Sequence, residues 1–375
     1  MTSVALVHDY LTQRGGAERV VLSMLKAFPN ATLYTSLYLP DGTFPEFRWA
    51  DIRPLPLDRV HVLRRHHRLA LPLLAGAFSH LDVHADVVLC SSSGWAHGVH
   101  TDGRKVVYCH APARWLYQSD RYLGAGHAMT RGILTALSPG LRRWDSQAAR
   151  SADRYLTQSR SVRDWIKALY GIEAEILPAP YRLTPDAPRS AIPNIAPGFH
   201  LCVSRLLPYK NVDVAISAFA SLPDERLVVV GQGPEATRLR RRASSNVTLL
   251  GPVSDAQLVW LYAGCAAVIS TSYEDYGLTA LEAAAFGKPV AALRFGGFLD
   301  TVVEEVTGTL FAVPDRDELL RALKRLKAQN FDAKTIRAHA RRYSEDQFVT
   351  RLRQVVLESQ TIPTPRVNCP REVGP

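Results

Sequence analysis

The stretch Tyr273-Glu274-Asp275-Tyr276-Gly277-Leu278-Thr279-Ala280-Leu281-Glu282-Ala283 decides how the rest of the chain is read. It follows the apolar run 267–270, which has the length and composition of a buried strand, and it leads into a helical pattern over 278–286. It is therefore a strand-to-helix turn with a glycine just before the helix and two glutamates eight residues apart. The backbone N–H groups of Gly277, Leu278 and Thr279 lack partners inside the helix and, with the helix dipole behind them, make an anion site. Glu282, one turn in, can accept two hydrogen bonds from a vicinal diol such as a ribose. Glu274, in the loop, can reach a second hydroxylated group beyond the phosphates. Taken locally, the same residues also fit a helix-capping Glu274 and a solvated Glu282.

The rhythm around this turn repeats along the chain. Strand-like runs occupy 4–7, 87–90, 106–109 and, more weakly, 154–157; in the second half they occupy 199–204, 227–230, 247–250 and 267–270. Helical spacing occupies 17–28, 211–219, 255–262 and 278–286. Strands alternating with helices mean βαβ units and parallel sheet. Pro178, Pro180, Pro185, Pro188, Pro193 and Pro197 interrupt the alternation, and proline at that density breaks helices and central strands. We therefore expect an α/β protein of two Rossmann-like, doubly wound parallel-sheet domains. Their boundaries are 1–182 and 198–345, with a linker at 183–197, a returning helix at 346–360 and a disordered tail at 361–375. The 375 residues, 47% of them hydrophobic, are ample for two cores. Doubly wound sheets bind ligands at the carboxyl ends of their strands, so the chemistry belongs in strand-to-helix loops facing a central cleft.

Four further segments lie in or near such loops. In Val203-Ser204-Arg205-Leu206-Leu207-Pro208-Tyr209-Lys210-Asn211, the guanidinium of Arg205 and the ammonium of Lys210 can neutralise a diphosphate. In Arg14-Gly15-Gly16-Ala17-Glu18, paired glycines before a helix let the backbone approach a phosphate. His110, in Tyr108-Cys109-His110-Ala111-Pro112, can hydrogen-bond a sugar hydroxyl or share developing charge. The fourth holds Arg59, Arg64, Arg65 and Arg68 with His61, His66 and His67, followed by the apolar run 69–78. Basic residues beside apolar ones suit an anionic lipid surface, although a solvated basic helix followed by a core segment reads equally well.

Several classes find no support. There is no G-x-G-x-x-G, no G-x-S-x-G, no H-E-x-x-H and no aspartate-rich metal loop. Neither a nicotinamide cofactor nor a catalytic metal is expected. Cys90, Cys109, Cys202, Cys265 and Cys369 are odd in number and widely spaced, which fits a reducing cytoplasm rather than a disulfide framework. Met1 leads straight into a strand-like run without a signal-peptide pattern. The net charge of +10 calls for an anionic partner. Residues 1–182 carry 22 Lys/Arg against 15 Asp/Glu and residues 183–375 carry 23 against 20, so the excess is concentrated in the first half. No aromatic-interleaved basic sheet or recognition helix points to nucleic acid.

Jointly these segments resemble the retaining glycosyltransferases of family 4, which have the GT-B fold. The likeness runs from about residue 4 to about residue 342. Its most specific part is the pair Glu274 and Glu282, placed against Arg205, Lys210, Gly287-Lys288-Pro289-Val290 and the loop Phe295-Gly296-Gly297-Phe298. Val7-His8-Asp9-Tyr10-Leu11, Gly15-Gly16-Ala17-Glu18 and Cys109-His110-Ala111-Pro112 look like the branch that builds bacterial polysaccharides and glycolipids, where mannosyl transfer from GDP-mannose is frequent. That branch usually has Thr or Ser where this chain has Ala111.

The resemblance implies that Glu282 binds the donor ribose, and that Arg205 and Lys210 hold the diphosphate as it leaves. Glu274 contacts the transferred sugar, Gly277, Leu278 and Thr279 offer amides to the distal phosphate or sugar, and His110 approaches the reacting carbon. Gly15 and Gly16 line the phosphate side. It implies no cofactor beyond the nucleotide-sugar co-substrate. The acceptor is lipid-linked or a glycan, and the location is cytoplasmic, peripheral on the inner face of the plasma membrane. A GT-B-like sugar-nucleotide epimerase or phosphorylase, or a non-catalytic binder of anionic lipid or polymer, are the alternatives.

Overall fold

A computed structural model describes residues 2–118 and 128–358. The segment 361–375, expected to be disordered, lies outside the described residues. The first sheet contains β1 (Val4–His8), β2 (Leu33–Thr35), β3 (Ile52–Pro54), β4 (Val87–Ser92), β5 (Arg104–Cys109), β6 (Arg154–Thr157) and β7 (Glu175–Ile176). The second contains β8 (His200–Val203), β9 (Leu227–Val230), β10 (Val247–Gly251), β11 (Ala267–Ser270), β12 (Val290–Leu293) and β13 (Gly308–Phe311). Their orders are β3-β2-β1-β4-β5-β6-β7 and β10-β9-β8-β11-β12-β13. Every paired strand is parallel, with Leu6 opposite Leu89 and Val268 opposite Val290. The runs at β4, β9 and β11 are apolar without alternation because helices cover both faces of such sheets.

Each sheet reverses direction once, between β1 and β4 and between β8 and β11. The loops leaving such a pair run to opposite faces and open a crevice at the carboxyl ends of the strands. The two reversals are the feature of the fold that positions the candidate site.

Expected and observed elements differ at the margins. The strands β2, β3 and β7 have two or three residues, too few for any periodicity, and β3 is an exposed edge that tolerates Pro54. The helices Ala128–Arg150 and Arg160–Tyr170 carry no sequence mark among the segments above; the first contains Pro139. The helix expected from 211 begins at Val212, because Pro208–Lys210 form a 3₁₀ turn and Asn211 takes a left-handed φ of 51°. Residues 183–197 contain no strand or helix, yet Leu183 is buried in the second core and Ile192 and Ile195 pack on it. The proline-rich crossing is thus bound down along much of its length.

The helix Glu345–Leu357 buries Phe348, Leu352, Val355 and Val356 among Val21, Met24 and Tyr108 of the first domain. Its start is fixed by the Ser23 hydroxyl, which donates to Glu345 at 2.7 Å, and its end by Arg353, whose Nε donates to the Ala27 carbonyl at 2.8 Å. Tyr276 and Leu281 of the second domain join the same apolar cluster. The chain therefore ties its two domains together both at the cleft and behind it.

Candidate active site

Three of the four loops at the two reversals carry candidate residues. The Gly15-Gly16 loop follows β1, the Arg205–Lys210 loop follows β8, and Glu274 follows β11, while His110 directly follows β5. The loop after β11 is docked on the first domain. Arg114 pairs with Asp275, the Ser159 hydroxyl donates to the Asp275 carbonyl at 2.7 Å, and the Tyr276 hydroxyl donates to the Ala179 carbonyl. Arg160 clasps Asp300, its backbone N–H at 2.9 Å from Oδ2. Both crevices consequently face one cleft.

Lys210 is buried and pairs with Glu274, so the structure brings these two residues together across 64 positions of sequence. Their loops are cross-tied. The Thr271 hydroxyl donates to the Lys210 carbonyl at 3.0 Å, and the Asn211 amide donates to the Thr271 carbonyl at 3.1 Å. The Ser272 hydroxyl donates to Glu274 at 3.1 Å, and the Lys210 ammonium sits 4.9 Å from the Tyr209 ring centre. Arg205 remains exposed and donates to the Tyr209 hydroxyl at 3.0 Å, a tether that leaves the rest of its guanidinium to an incoming anion. Gly277 has φ of 79° and caps the helix Leu278–Ala285 without a side-chain bond, so the first N–H groups of that helix stay available beside Leu278 and Thr279.

Glu282 is buried rather than a solvated face. The Tyr262 hydroxyl donates to its Oε2 at 2.8 Å. Burial pushes its pKa up; the Tyr262 bond and the charge of Arg19 oppose that shift. A buried carboxyl with one filled acceptor position and others remaining matches what a vicinal diol requires.

On the opposite wall, His110 is buried, and its Nε2 lies 2.8 Å from the Ser91 hydroxyl. Ser91 also touches His8, whose Nδ1 lies 3.1 Å from the Ser91 carbonyl. A carbonyl only accepts, so His8 carries its proton on Nδ1. The Ser91 hydroxyl bridges the two rings, 3.0 Å from His8 Nδ1 and 2.8 Å from His110 Nε2. Burial holds His110 down at about 3 and His8 down at about 4, so both rings are neutral near pH 7. His110 can polarise a sugar hydroxyl but carries no charge of its own.

Asp9, in the segment after β1, has a role that its local sequence does not reveal. Its buried carboxylate accepts from the Ser93 and Ala96 N–H groups at 2.6 and 2.7 Å and so joins the loops after β1 and β4 across the reversal. An aspartate at the carboxyl end of a buried strand was the available signal.

Gly16 is exposed, and a Cβ built there meets nothing within 4 Å. Protein packing therefore does not demand glycine at the start of the helix Gly16–Ala27, and the open backbone leaves room for close approach by a ligand. Gly16→Ala is expected to keep its thermal midpoint while nucleotide affinity falls about tenfold or more, as a displaced phosphate contact would cause. Calorimetric unfolding and titration of the same sample check both halves.

The basic stretch divides in two. Ala70, Leu71, Leu74, Ala75 and Phe78 are core, whereas Val60, Val62, Leu69 and Leu73 are exposed beside Arg59, Arg65 and Arg68. The apolar run is thus half core, and a narrower exposed strip remains. His67 stacks on Tyr10 at 4.6 Å and bonds Thr12 at 3.1 Å, which sets the strip against the loop after β1. Among the described residues no helix is long and apolar enough to cross a membrane, and no group of three or more His, Cys, Asp or Glu side chains is gathered for a metal ion.

Residues 14–181 match the family model described as Glycosyltransferase Family 4, and residues 191–345 match the one described as Glycosyl transferases group 1. A D-inositol 3-phosphate glycosyltransferase of Mycobacterium avium is 41% identical over 133 residues, 32% of this chain and 31% of that protein. The chain thus matches about a third of that relative's length. Among solved structures, Anabaena HepE in complex with UDP and glucose superposes with a TM-score of 0.67 at 18% identity, covering 95% of this chain and 99% of that one. WaaG, a glycosyltransferase involved in lipopolysaccharide biosynthesis, superposes with a TM-score of 0.64 at 19% identity, covering 95% and 100%. At such identities the superpositions establish the fold.

Proposed function

The chain belongs to the family 4 glycosyltransferases and has their GT-B architecture, and on that premise we propose that it moves a hexose, with retention, from a nucleoside diphosphate sugar to a hydroxyl of a lipid-linked or glycan acceptor. Mannose from GDP-mannose is the donor we put first. The observation that supports this reading is the docking of the Asp275–Tyr276 loop on the first domain, which turns the Lys210–Glu274 pair and the buried Glu282 of one sheet reversal toward the glycine loop of the other. HepE, described with UDP and glucose, supports a nucleotide-sugar donor, and the D-inositol 3-phosphate relatives support a hydroxyl-rich acceptor.

In this reading the glycosidic C–O bond to the diphosphate breaks first, through an oxocarbenium-like state. Its electron pair goes to the departing phosphate, where Arg205, Lys210 and the N–H groups ahead of Leu278–Ala285 already point positive charge. The acceptor hydroxyl attacks the face the phosphate leaves, and its proton passes to a phosphate oxygen. The neutral His110 donates to a sugar hydroxyl near the reacting carbon. No metal ion and no cofactor is assigned a part. Packing of the Asp275–Tyr276 loop on the first domain keeps bulk water from competing with the acceptor.

The test incubates the protein with GDP-, UDP- and ADP-sugars and extracted lipid acceptors and follows nucleoside diphosphate release and the anomeric configuration of the product. Acceptor-dependent release with retention is expected. Release of free nucleotide-sugar isomers would favour an epimerase, and no turnover with any donor would leave a binding module. The strip of Val60, Val62, Leu69 and Leu73 with its arginines supports an acceptor presented at an anionic membrane face. Sedimentation with phosphatidylglycerol vesicles at low salt is expected, lost on adding salt and weakened in Leu69→Glu/Leu73→Glu; absence of binding at low salt removes the membrane from the proposal.

A further inference from the structure

We propose that Ser91 is a positioning residue for the sugar-facing histidine: its hydroxyl holds the His110 ring by Nε2 and so presents Nδ1 to the substrate. The inference rests on the reading of His110 as a contact of the donor sugar. Three neighbouring strands of the first sheet bring the parts together at their carboxyl ends. His8 is the last residue of β1 and stands opposite Ser91 of β4 in the strand register, and His110 directly follows β5, the next strand. The Ser91 Oγ lies 3.0 Å from His8 Nδ1 and 2.8 Å from His110 Nε2, and all three side chains are buried. The backbone of His110 is pinned as well. Its N–H donates to the Ser92 carbonyl at 2.9 Å, and its carbonyl accepts from the Gln158 amide at 2.9 Å. The Tyr108 ring stands edge-on to it at 5.2 Å.

The backbone bonds fix where the ring is attached but not which way it faces. The χ2 torsion of histidine is broad and roughly two-fold. A half-turn about it exchanges Nδ1 with Cδ2 and Nε2 with Cε1, so a sugar hydroxyl would meet a C–H in place of a nitrogen. Among the described residues, Ser91 makes the one hydrogen bond to this ring. In the turned ring Cε1 would face the Ser91 hydroxyl, which would then be buried and one partner short. The same bond selects the tautomer, since the partner at one ring nitrogen decides where the proton of a neutral imidazole sits. His8 contacts both the carbonyl and the hydroxyl of Ser91, at 3.1 and 3.0 Å, which keeps the hydroxyl between the two rings. His8 and Ser91 belong to central strands of the sheet, and a group supported by strands is held more precisely than one supported by loops.

The test records the histidine ring nitrogen resonances of isotopically labelled wild type, Ser91→Ala and Ser91→Thr, with His110→Ala to identify the His110 signals. The wild type should show one dominant His110 tautomer. Ser91→Ala should move both His110 nitrogens toward the averaged shifts of a free neutral imidazole, and Ser91→Thr, which keeps a hydroxyl, should hold the wild-type signals. In parallel, nucleoside diphosphate release is followed with GDP-mannose, UDP-glucose and ADP-glucose. Ser91→Ala should lower kcat about tenfold with the donor KM within a factor of about two, and Ser91→Thr should recover most of the loss. Unchanged His110 signals in Ser91→Ala, an unchanged kcat, or a loss confined to KM overturns the inference. A merely structural serine would lower the thermal midpoint without redistributing the tautomers. Should Ser91→Ala fail to fold, Ser91→Cys, close in size and only a weak hydrogen-bonding group, makes the same comparison. If none of the three donors turns over, the ring signals still decide it. If His110→Ala keeps the wild-type kcat, the sugar-contact reading itself fails, and that result is separate from what the ring signals show of Ser91.

Discussion

Replacing Lys210 by alanine is expected to lower kcat for nucleoside diphosphate release by about 10²–10³, the usual effect of removing one preorganised donor from a developing charge. The reason is timing. In the proposed reaction the diphosphate gains its extra negative charge as the glycosidic bond breaks, beside a Lys210 already fixed by Glu274 and by the cross-ties to Thr271. Nothing has to reorganise at the moment of reaction. Stability should suffer less than activity. Glu274 is partly exposed and keeps the Ser272 hydroxyl at 3.1 Å, so losing the pair costs about 1–2 kcal/mol, between the surface and the buried limits. A kcat within a factor of three of wild type, in a variant that unfolds near the wild-type temperature, would place the leaving group elsewhere.

Glu282→Gln should show the complementary pattern: a rise in the donor KM of about 10²-fold with kcat changed little. The amide keeps the shape of the side chain and can still accept from Tyr262. It presents N–H donors where the diol needs acceptors, which forfeits two charge-assisted hydrogen bonds of about 1.5 kcal/mol each. The ribose is remote from the breaking bond, so this binding is the same in ground and transition states and appears in KM rather than in kcat. Tyr262→Phe is a milder version, because it removes one of the groups that favour the ionised carboxylate. Steady-state kinetics on the two glutamine and alanine variants, side by side, separates the binding part of the cleft from the part that works on the leaving group.

The distribution of what could be read in advance follows from physical range. The strand-to-helix turns were legible because a buried parallel strand is an unbroken apolar run and a helix has its own period. The turn between them is short enough that Gly277, Glu274 and Glu282 fall into place by counting. The same applies to Arg205 and Lys210. Pairings between distant segments were not legible. Nothing local shows that Lys210 meets Glu274, that Ser91 links His8 to His110, or that Asp9 bridges the loops after β1 and β4. Those bonds span 19 to 87 positions and exist only because the sheet order brings β4 between β1 and β5, and β8 beside β11. Short edge strands escaped for a different reason, since two or three residues carry no period. The burial of Glu282 was also hidden, because a glutamate in a helix is ordinarily solvated; only its phenol partner, twenty residues earlier, marks the exception. The apolar run at 69–78 shows the reverse case, a segment whose local character was visible but whose two faces only packing could separate.

The claim on which the rest depends is that one nucleoside diphosphate sits between the Lys210 loop and the glycine loop. A free nucleoside diphosphate resembles the departed leaving group, so its affinity reads the interaction that matters. Titrating GDP, UDP and ADP into the wild type and Lys210→Ala measures it directly. One of the three should saturate a single site per chain, with affinity at least about tenfold lower in the variant. Equal binding by the two proteins, or no binding of any of the three to the wild type, would contradict it.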